Sequence, residues 1–463
     1  MSIKFYNTLT NKVENFTSIE KNKISMYICG VTPYDVVHLG HARAYVTFDV
    51  IKRHFIRSGY SVNHIQNFTD VDDKIINRSI EKQISPLELA KTYIDDYFVQ
   101  MNKLNVLKAN EYPQVTSMIP QIISFIEKLE EKGFAYNVDG DVYFSVDKFS
   151  EYGKLSKRKL EDMKVGARVD ADSKKKNPYD FILWKKTKEN EPQSVSWPSR
   201  WAAGRPGWHI ECSVMSTSLL GDTIDIHGGG QDLIFPHHEN EIAQSEACTG
   251  KIFAKYWIHN GFVTVNKEKM SKSLGNFFTL KDIFNTYDPR VVRYYLLTQH
   301  YRTPLDFSND GLNAAQKTLQ GLDEAYSRLL AIVSESDDNL INEDLIKIQK
   351  QVKEALDDDF NFEKALSYLH ELKNLILNNL SSDKTCYLKQ AKWLFEDIFE
   401  GDLGIRLIKN EINGELSILL EKRNSARKNK NWKEADLFRD KLAELGYKIV
   451  DNKDGTSTLV KKI

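Results

Sequence analysis

The sequence predicts an α/β fold built on a parallel sheet, followed by a helical segment and a small mixed segment. Over about the first 110 residues, short apolar runs typical of buried strands alternate with stretches of helical spacing. The alternation resumes after about residue 199, and the apolar spacing becomes purely helical from about residue 309. Alternating strands and helices indicate a parallel sheet, which binds ligands at the carboxyl ends of its strands.

The length of the chain, 463 residues, exceeds what one hydrophobic core serves, so we expect several domains. The changes of pattern along the chain predict where these domains meet. The expected order is a sheet domain in two halves at 1–112 and 199–308, an inserted α+β subdomain at 113–198, a helical bundle at 309–405 and a mixed α/β domain at 406–463.

The first half of the sheet domain is expected to begin with a buried strand at 26–30. A helix is predicted at 38–57, because apolar residues recur at helical spacing and a glycine follows. A second strand is predicted at 62–68. Residues 85–88 have the pattern of a capping box with proline at the first helical position, which predicts a helix to about residue 107.

The insertion and the second half of the sheet domain follow the same logic. Apolar and polar residues alternate at 141–146, which predicts a half-buried strand in the insertion. Beyond the insertion we predict strands at 223–227 and 256–259 and a helix at 236–247. An Asp-Pro pair caps a further predicted helix over 288–297.

The C-terminal segment after about residue 413 predicts two short helices and a hairpin with its turn at 451–455. Residues 421–463 contain twelve lysines and arginines and seven aspartates and glutamates, a local charge excess of +5. Trp432 lies among these cations, which suits stacking on an unpaired base beside phosphate contacts. A solvated charged helix with a half-buried tryptophan explains the same residues equally well.

The composition indicates a cytoplasmic protein without a membrane segment. Four cysteines are widely separated and form no Cys-x-x-Cys pair, a pattern typical of reducing compartments. No apolar run approaches about 18 residues, and the N-terminus lacks the apolar region of a secretion signal. The formal net charge of −1 neither favours nor excludes a nucleic-acid partner, which would have to bind local basic patches.

Two short segments favour phosphate chemistry: His-Leu-Gly-His, which begins at His38, and Lys-Met-Ser-Lys-Ser at 269–273. The first opens a helix, whose N-terminal N–H groups and dipole attract anions. His38 and His41 lie one turn apart and can reach the same phosphate, and Gly40 lets a nucleotide approach the backbone. In the second segment, Lys272 can neutralise charge that develops on phosphorus.

These two segments resemble the signatures of the class I aminoacyl-tRNA synthetases, which take the forms His-Ile-Gly-His and Lys-Met-Ser-Lys-Ser. The second segment is a full match. The first has Leu39 in place of isoleucine, a conservative apolar change. The resemblance implies a Rossmann-type catalytic domain that binds ATP.

A scattered set of residues has the chemistry of a metal site. His237 and Glu241 are four residues apart, which on a helix puts both side chains on one face. With Cys29 and Cys212 they would provide two thiolates, an imidazole and a carboxylate, an acceptable set of zinc ligands. From the residues alone, buried structural thiols and a satisfied polar cluster are the more common explanation.

Within class I, the chain resembles the cysteinyl-tRNA synthetase family over nearly its whole length. The matching stretches are 29–35, 69–74, 207–213, 227–233 and 235–241. The resemblance implies one zinc ion per chain, with His238 a neighbour and not a ligand. The four implied ligands are Cys29, Cys212, His237 and Glu241.

Zinc has a physical purpose in such an enzyme. Cysteine and serine differ by one atom, and a small pocket separates such pairs by only about 1–3 kcal/mol. A metal that binds the substrate thiolate would favour sulfur over oxygen, and the hypothesis is that no editing domain is then needed.

The resemblance also implies a reaction and its residues. Cysteine would react with Mg-ATP to form cysteinyl-adenylate, and the tRNA for cysteine would then accept the acyl group. A monomer would hold this tRNA by its acceptor end and its anticodon. The implied catalytic residues are His38, His41 and Lys272; the ATP-binding residues are Gly30, Thr32, His38, Gly40, His41, Gly229, Lys269, Met270, Ser271 and Lys272; the substrate-binding residues are Thr69, Trp208, His227 and Asp232.

Three other functions fit parts of this pattern. A cysteine ligase acting on an amino sugar would share the catalytic half but would not need the basic tail. A non-catalytic paralogue that binds RNA or nucleotide would have no reason to retain the full set of signature and metal residues. A general nucleotidyltransferase would lack the metal residues and the helical C-terminal third.

Overall fold

The structure is a computed structural model. It describes residues 2–159, 174–269, 277–333, 342–380, 385–408, 414–451 and 457–461. The chain forms two compact units: one holds residues 2–282 and 301–305, and the other holds residues 283–300 and 306–463. The bounds of the five segments expected from the sequence stay predictions.

The first unit is centred on a four-stranded parallel sheet. Its strands lie in the order Ala254–Asn260, Ile224–Gly230, Lys23–Val31 and Ser61–Phe68, and each neighbouring pair is parallel. The strand Lys23–Val31 is central and its apolar side chains are almost fully buried. The predicted parallel sheet is therefore confirmed, and the carboxyl ends of its strands meet at one edge.

Helices connect and cover the strands of this unit. They span Leu39–Arg57, Asp73–Lys82, Pro86–Lys103, Ile119–Glu131, Trp208–Leu220 and Glu239–Thr249. An N-terminal hairpin of Lys4–Asn7 and Lys12–Asn15, which the sequence analysis did not predict, and a short antiparallel pair of Val263–Val265 and Glu268–Lys269 complete it. The short helix Leu280–Phe284 and the strand Leu305–Phe307 each contain residues of both units.

The inserted segment carries a second, antiparallel sheet. Its four strands follow chain order: Ala135–Val138, Asp141–Phe144, Phe181–Lys186 and Gly204–Pro206. Phe144 and Trp184 of this sheet belong to the same buried hydrophobic cluster as Tyr27 and Ile224 of the parallel sheet. The insertion therefore shares a core with the sheet domain instead of forming a core of its own.

The second unit is mainly helical. Its helices span Pro289–Leu297, Asn309–Ile332, Glu343–Asp357, Phe362–Asn378, Thr385–Glu396, Gly414–Lys428 and Trp432–Glu444. Leu366, Leu369, Leu372 and Ile376 recur at helical spacing and are buried, as the predicted bundle requires. Strands Tyr447–Asp451 and Ser457–Lys461 form the predicted C-terminal hairpin, whose turn lies mostly outside the described residues.

Two predicted helix boundaries were wrong for local reasons. The Ser85 side chain makes no capping hydrogen bond, and the helix ends at Lys103, shortly before Asn105 adopts a left-handed conformation with φ of 57°. The helix expected at 236–247 begins at Glu239, because Phe235 has an extended backbone that interrupts the turn before it. No helix within the described residues has the length and apolar character needed to cross a membrane.

Candidate active site

A cavity of about 340 Å³ opens where the parallel strands end. Most of the residues that the sequence marked for ATP or substrate line it together. These are Gly30, Thr32, His38, Gly40, His41, Trp208, Gly229 and Asp232, and the expected metal ligand Cys29 also contributes to the wall. The sheet topology thus joins residues that are up to about 200 positions apart in the chain.

The two signature histidines cap the same helix reciprocally. His38 Nδ1 accepts the backbone N–H of His41 at 3.3 Å, and His41 Nδ1 accepts the backbone N–H of His38 at 3.3 Å. The rings stack with their centroids 3.6 Å apart. Because each Nδ1 is an acceptor, each neutral ring carries its proton on Nε2. The two hydrogen bonds therefore fix the same tautomer in both rings.

Gly30 is required by the sheet itself. A Cβ atom there would lie 1.5 Å from the backbone oxygen of Asn67 on the neighbouring strand. The Gly30 N–H donates to Asn67 Oδ1 at 2.8 Å. Close approach of a nucleotide is thus not needed to explain this glycine, although its backbone still lines the cavity.

A buried cluster of metal-ligand type adjoins the cavity. Cys29 Sγ lies 3.8 Å from Cys212 Sγ and 3.6 Å from Glu241 Oε1. His237 Nε2 lies 3.0 Å from the same Glu241 oxygen. The donor atoms of these four residues all fall within 4.8 Å of one another, and all four residues are buried.

The spacing of these donors fits a zinc ion. Zn–S bonds of about 2.3 Å at tetrahedral angles put two thiolates about 3.8 Å apart, and a thiolate and a carboxylate oxygen about 3.6 Å apart. The two separations from Cys29 match these edges, at 3.8 Å and 3.6 Å. The donor types and the two separations from Cys29 therefore fit zinc.

A second set of donors overlaps the first. Cys29 and Glu241 also form a group with His227 and His238. His238 Nε2 lies 3.2 Å from Cys29 Sγ, but His227 Nε2 lies only 2.7 Å from Glu241 Oε2. The shorter distance is that of a hydrogen bond, less than the roughly 3.4 Å between nitrogen and oxygen ligands of one tetrahedral zinc ion. His237 Nε2 and Glu241 Oε1 of the first set, at 3.0 Å, are also closer than this edge, but by a smaller amount. The second set therefore departs further from the size of a zinc site.

Burial shifts the protonation of the cluster towards neutral forms. It raises the pKa of the Cys29 thiol and of the Glu241 carboxyl, and it lowers the pKa of His237. The cause is desolvation, which penalises each charged form. A divalent cation is the charge that would reverse these shifts for the thiol and the carboxyl.

Further side chains orient the cluster. His209 Nδ1 lies 3.0 Å from His237 Nδ1, and the Trp208 ring stacks on the His237 ring with the centroids 4.2 Å apart. Behind the cluster, His238 Nδ1 pairs with His259 Nε2 at 2.8 Å. Such partners fix ring orientation and leave one nitrogen for a ligand role. No sequence pattern indicates a role for His209 or His259, because these contacts join distant segments.

Two expected substrate residues lie away from the cavity. Thr69 is buried and donates to Glu211 Oε2 at 2.7 Å. His227 is fully buried, stacks on Trp257 and bonds to Glu241. Neither belongs to the described lining of the cavity. Their side chains bond to Glu211 and Glu241 instead.

The second signature lies almost entirely outside the described residues. The backbone of Lys269 ends the short strand Glu268–Lys269, and Met270, Ser271 and Lys272 are not described. Their expected roles stay predictions.

Comparison with known proteins decides the family. The model of the class I (C) tRNA synthetase catalytic domain matches residues 15–317, the DALR domain matches 351–404 and the cysteinyl-tRNA ligase anticodon-binding domain matches 410–457. A cysteine--tRNA ligase of Endomicrobium trichonymphae is 63% identical over 466 residues, covering 100% of both chains. The chain belongs to the cysteinyl-tRNA synthetase family.

Further relatives agree with this assignment. A cysteine--tRNA ligase of Clostridioides difficile is 47% identical and covers 98% of this chain and 99% of that one. As a class I aminoacyl-tRNA synthetase, the protein is an ATP-dependent cysteine--tRNA ligase. Among solved structures, methionyl-tRNA synthetase of Mycobacterium tuberculosis with methionyl-adenylate has a TM-score of 0.61 at 14% identity, covering 86% and 94% of the two chains. That likeness shows the class I fold.

Proposed function

We propose that this cysteinyl-tRNA synthetase forms cysteinyl-adenylate from L-cysteine and Mg-ATP before it charges tRNA(Cys), and that one zinc ion per chain selects the thiol. One observation carries the proposal: the signature histidines and Cys29 line the same cavity. Two histidines suited to binding phosphate and a cysteine of the expected metal site thus line one cavity. A substrate that joins an amino acid to a phosphate would contact both.

In the first step, the cysteine carboxylate attacks the α-phosphorus of ATP, and the bond to the β-phosphate breaks to release pyrophosphate. His38 and His41 donate Nε2–H to the phosphates, a role that their backbone-fixed tautomers suit. Little proton transfer is needed, so positioning and charge stabilisation dominate. We assign Lys272, with Lys269, Met270 and Ser271, to the triphosphate and its transition state.

The nucleotide would rest against backbone that the sheet provides. Gly30, Thr32, Gly40 and Gly229 line the cavity and present little side-chain bulk. Adenine and ribose can therefore approach the strand ends closely.

At the amino-acid end, Cys29, Cys212, His237 and Glu241 would hold the zinc ion. When bound, the metal would offer a position that prefers sulfur over oxygen and lowers the pKa of the substrate thiol. Trp208 is 40% exposed at the cavity and would cover the small side chain.

Of the other expected substrate residues, Asp232 would contact the substrate directly, and Thr69 and His227 would act through a second residue. Asp232 in the cavity wall would bind the ribose or the amino group of cysteine. Thr69 and His227 would act from behind, Thr69 through Glu211 and His227 through Glu241.

In the second step, the 3′-terminal ribose hydroxyl attacks the adenylate carbonyl and AMP leaves. The C-terminal domain would read the anticodon, and Trp432, 60% exposed beside several lysines, is available to stack on a base. We propose a monomer located in the cytoplasm, where four free cysteines fit a reducing environment.

Rapid-quench analysis with labelled ATP tests the order of events. We expect enzyme, ATP and cysteine without tRNA to accumulate cysteinyl-AMP, and added tRNA(Cys) to consume it within one turnover. Charging of tRNA without a preceding adenylate would contradict the proposal.

A further inference from the structure

The cavity contains one basic side chain to which the sequence analysis gave no role. Among the described residues that line the cavity, Lys74 is the one lysine or arginine. It follows the strand Ser61–Phe68 and lies in the first turn of the helix Asp73–Lys82. A cation at the carboxyl edge of a parallel sheet is well placed to meet an anionic ligand.

The Lys74 ammonium is available for a ligand. Its Nζ lies 5.5 Å from the centre of the Tyr34 ring, and Tyr34 also lines the cavity. The residue is exposed, and no carboxylate within the described part of the chain forms an ion pair with it. A cation over an aromatic face keeps its charge for further partners.

The turn that carries Lys74 is firmly anchored. Asp72 caps the helix by accepting the Lys74 backbone N–H at 2.9 Å. Asp73 pairs with Lys185 and, at 2.5 Å, with Arg205 of the antiparallel sheet. Arg205 is almost fully buried and bridges to Glu191 at 2.9 Å. The acid next to Lys74 in sequence is therefore already neutralised by other cations.

We propose that Lys74 binds a phosphate group of a substrate in this cavity. The inference rests on the proposed function, which places phosphate beside His38 and His41. Two sources offer the same chemistry: the α-phosphate of the adenylate and the last phosphodiester of the tRNA 3′ end. A charge-assisted hydrogen bond to either strengthens binding by more than a neutral contact does.

The test uses the full-length, zinc-loaded enzyme and three variants. Lys74→Gln removes the charge at similar length, and Lys74→Arg retains it. Lys82→Gln is the matched control, because Lys82 lies on the same helix with its Nζ 5.1 Å from the Tyr93 ring centre, outside the cavity lining. Thermal melting compares the stability of all variants with that of the wild type.

Two activities are measured: cysteine-dependent exchange of pyrophosphate into ATP without tRNA, and single-turnover transfer from preformed adenylate to tRNA(Cys). We expect Lys74→Gln to slow one of them by about 10- to 100-fold, while Lys74→Arg stays near the wild type. Slow exchange identifies the adenylate phosphate as the ligand. Normal exchange with slow transfer identifies the tRNA phosphate.

Two results would overturn the inference. In the first, Lys74→Gln has the same exchange and transfer rates as Lys82→Gln. In the second, Lys74→Arg is as slow as Lys74→Gln, which would show that the shape of the side chain and not its charge determines the rate. Failure of the proposed function is a separate result, because wild-type enzyme would then show no exchange, and the inference would fall with it.

Discussion

The thiol of Cys212 offers the sharpest test of the metal site. Cys212→Ser replaces one of the four expected donors by an oxygen of similar size. The Cys212 and Cys29 sulfurs are 3.8 Å apart, the edge expected for two thiolates of one zinc ion. Structural zinc sites with four ligands bind with about 10–16 kcal/mol at pH 7, so one ligand accounts for roughly 3–4 kcal/mol. We therefore expect zinc affinity to fall by about 100- to 1000-fold.

The assay is competition for zinc against a chelator of known affinity, followed by cobalt substitution to detect thiolate-to-metal absorption. Cys248→Ser is the matched control, since Cys248 is also a buried thiol but belongs to neither donor set. We expect the control to keep wild-type affinity and the Cys212 variant to lose part of the absorption band. Equal affinities in the two variants, with intact folds by circular dichroism, would refute the assignment of Cys212.

Three further predictions concern the same region. His237→Ala should lower the amount of bound zinc more than His238→Ala, as measured by atomic absorption. The reason is that His238 contacts Cys29 at 3.2 Å but is not one of the four expected ligands. The reverse order would favour the second donor set. Zinc affinity should fall by about tenfold per pH unit for each proton that zinc displaces. Burial raises the pKa of the Cys29 thiol, so protons compete with the metal at every pH below that raised pKa. Chelator titrations showing tighter binding at low pH would contradict this. Glu239→Ala should lower the free energy of unfolding by about 3–5 kcal/mol in urea titrations. The buried Glu239 carboxylate accepts backbone N–H groups of the loop 153–156, and the variant would leave them without an acceptor. A change below about 1 kcal/mol would contradict this.

Local chemistry made some elements predictable. The helix Pro289–Leu297 begins as expected, and Asp288 Oδ1 accepts the Arg290 N–H at 2.7 Å. The four-residue spacing of His237 and Glu241 likewise brought their side chains within 3.0 Å. Both outcomes depend on residues at most four positions apart, although His237 lies in the turn that precedes the helix Glu239–Thr249.

Tertiary contacts explain what the sequence did not reveal. Ser85 has the residue type of a cap, yet its side chain makes no capping hydrogen bond. Gly30 looked like a nucleotide contact, but the neighbouring strand already excludes a side chain there. The pairing of His209 with His237 and the place of Lys74 in the cavity join segments that only the folded sheet brings together.

Amino-acid-dependent exchange of labelled pyrophosphate into ATP shows whether zinc selects cysteine. The enzyme is assayed without tRNA, with cysteine or serine, before and after a chelator removes zinc, and again after zinc is restored. We predict exchange with cysteine alone, loss of that exchange when zinc is removed and recovery when zinc is restored. Cysteine-over-serine selectivity that persists in zinc-free, folded enzyme would contradict it.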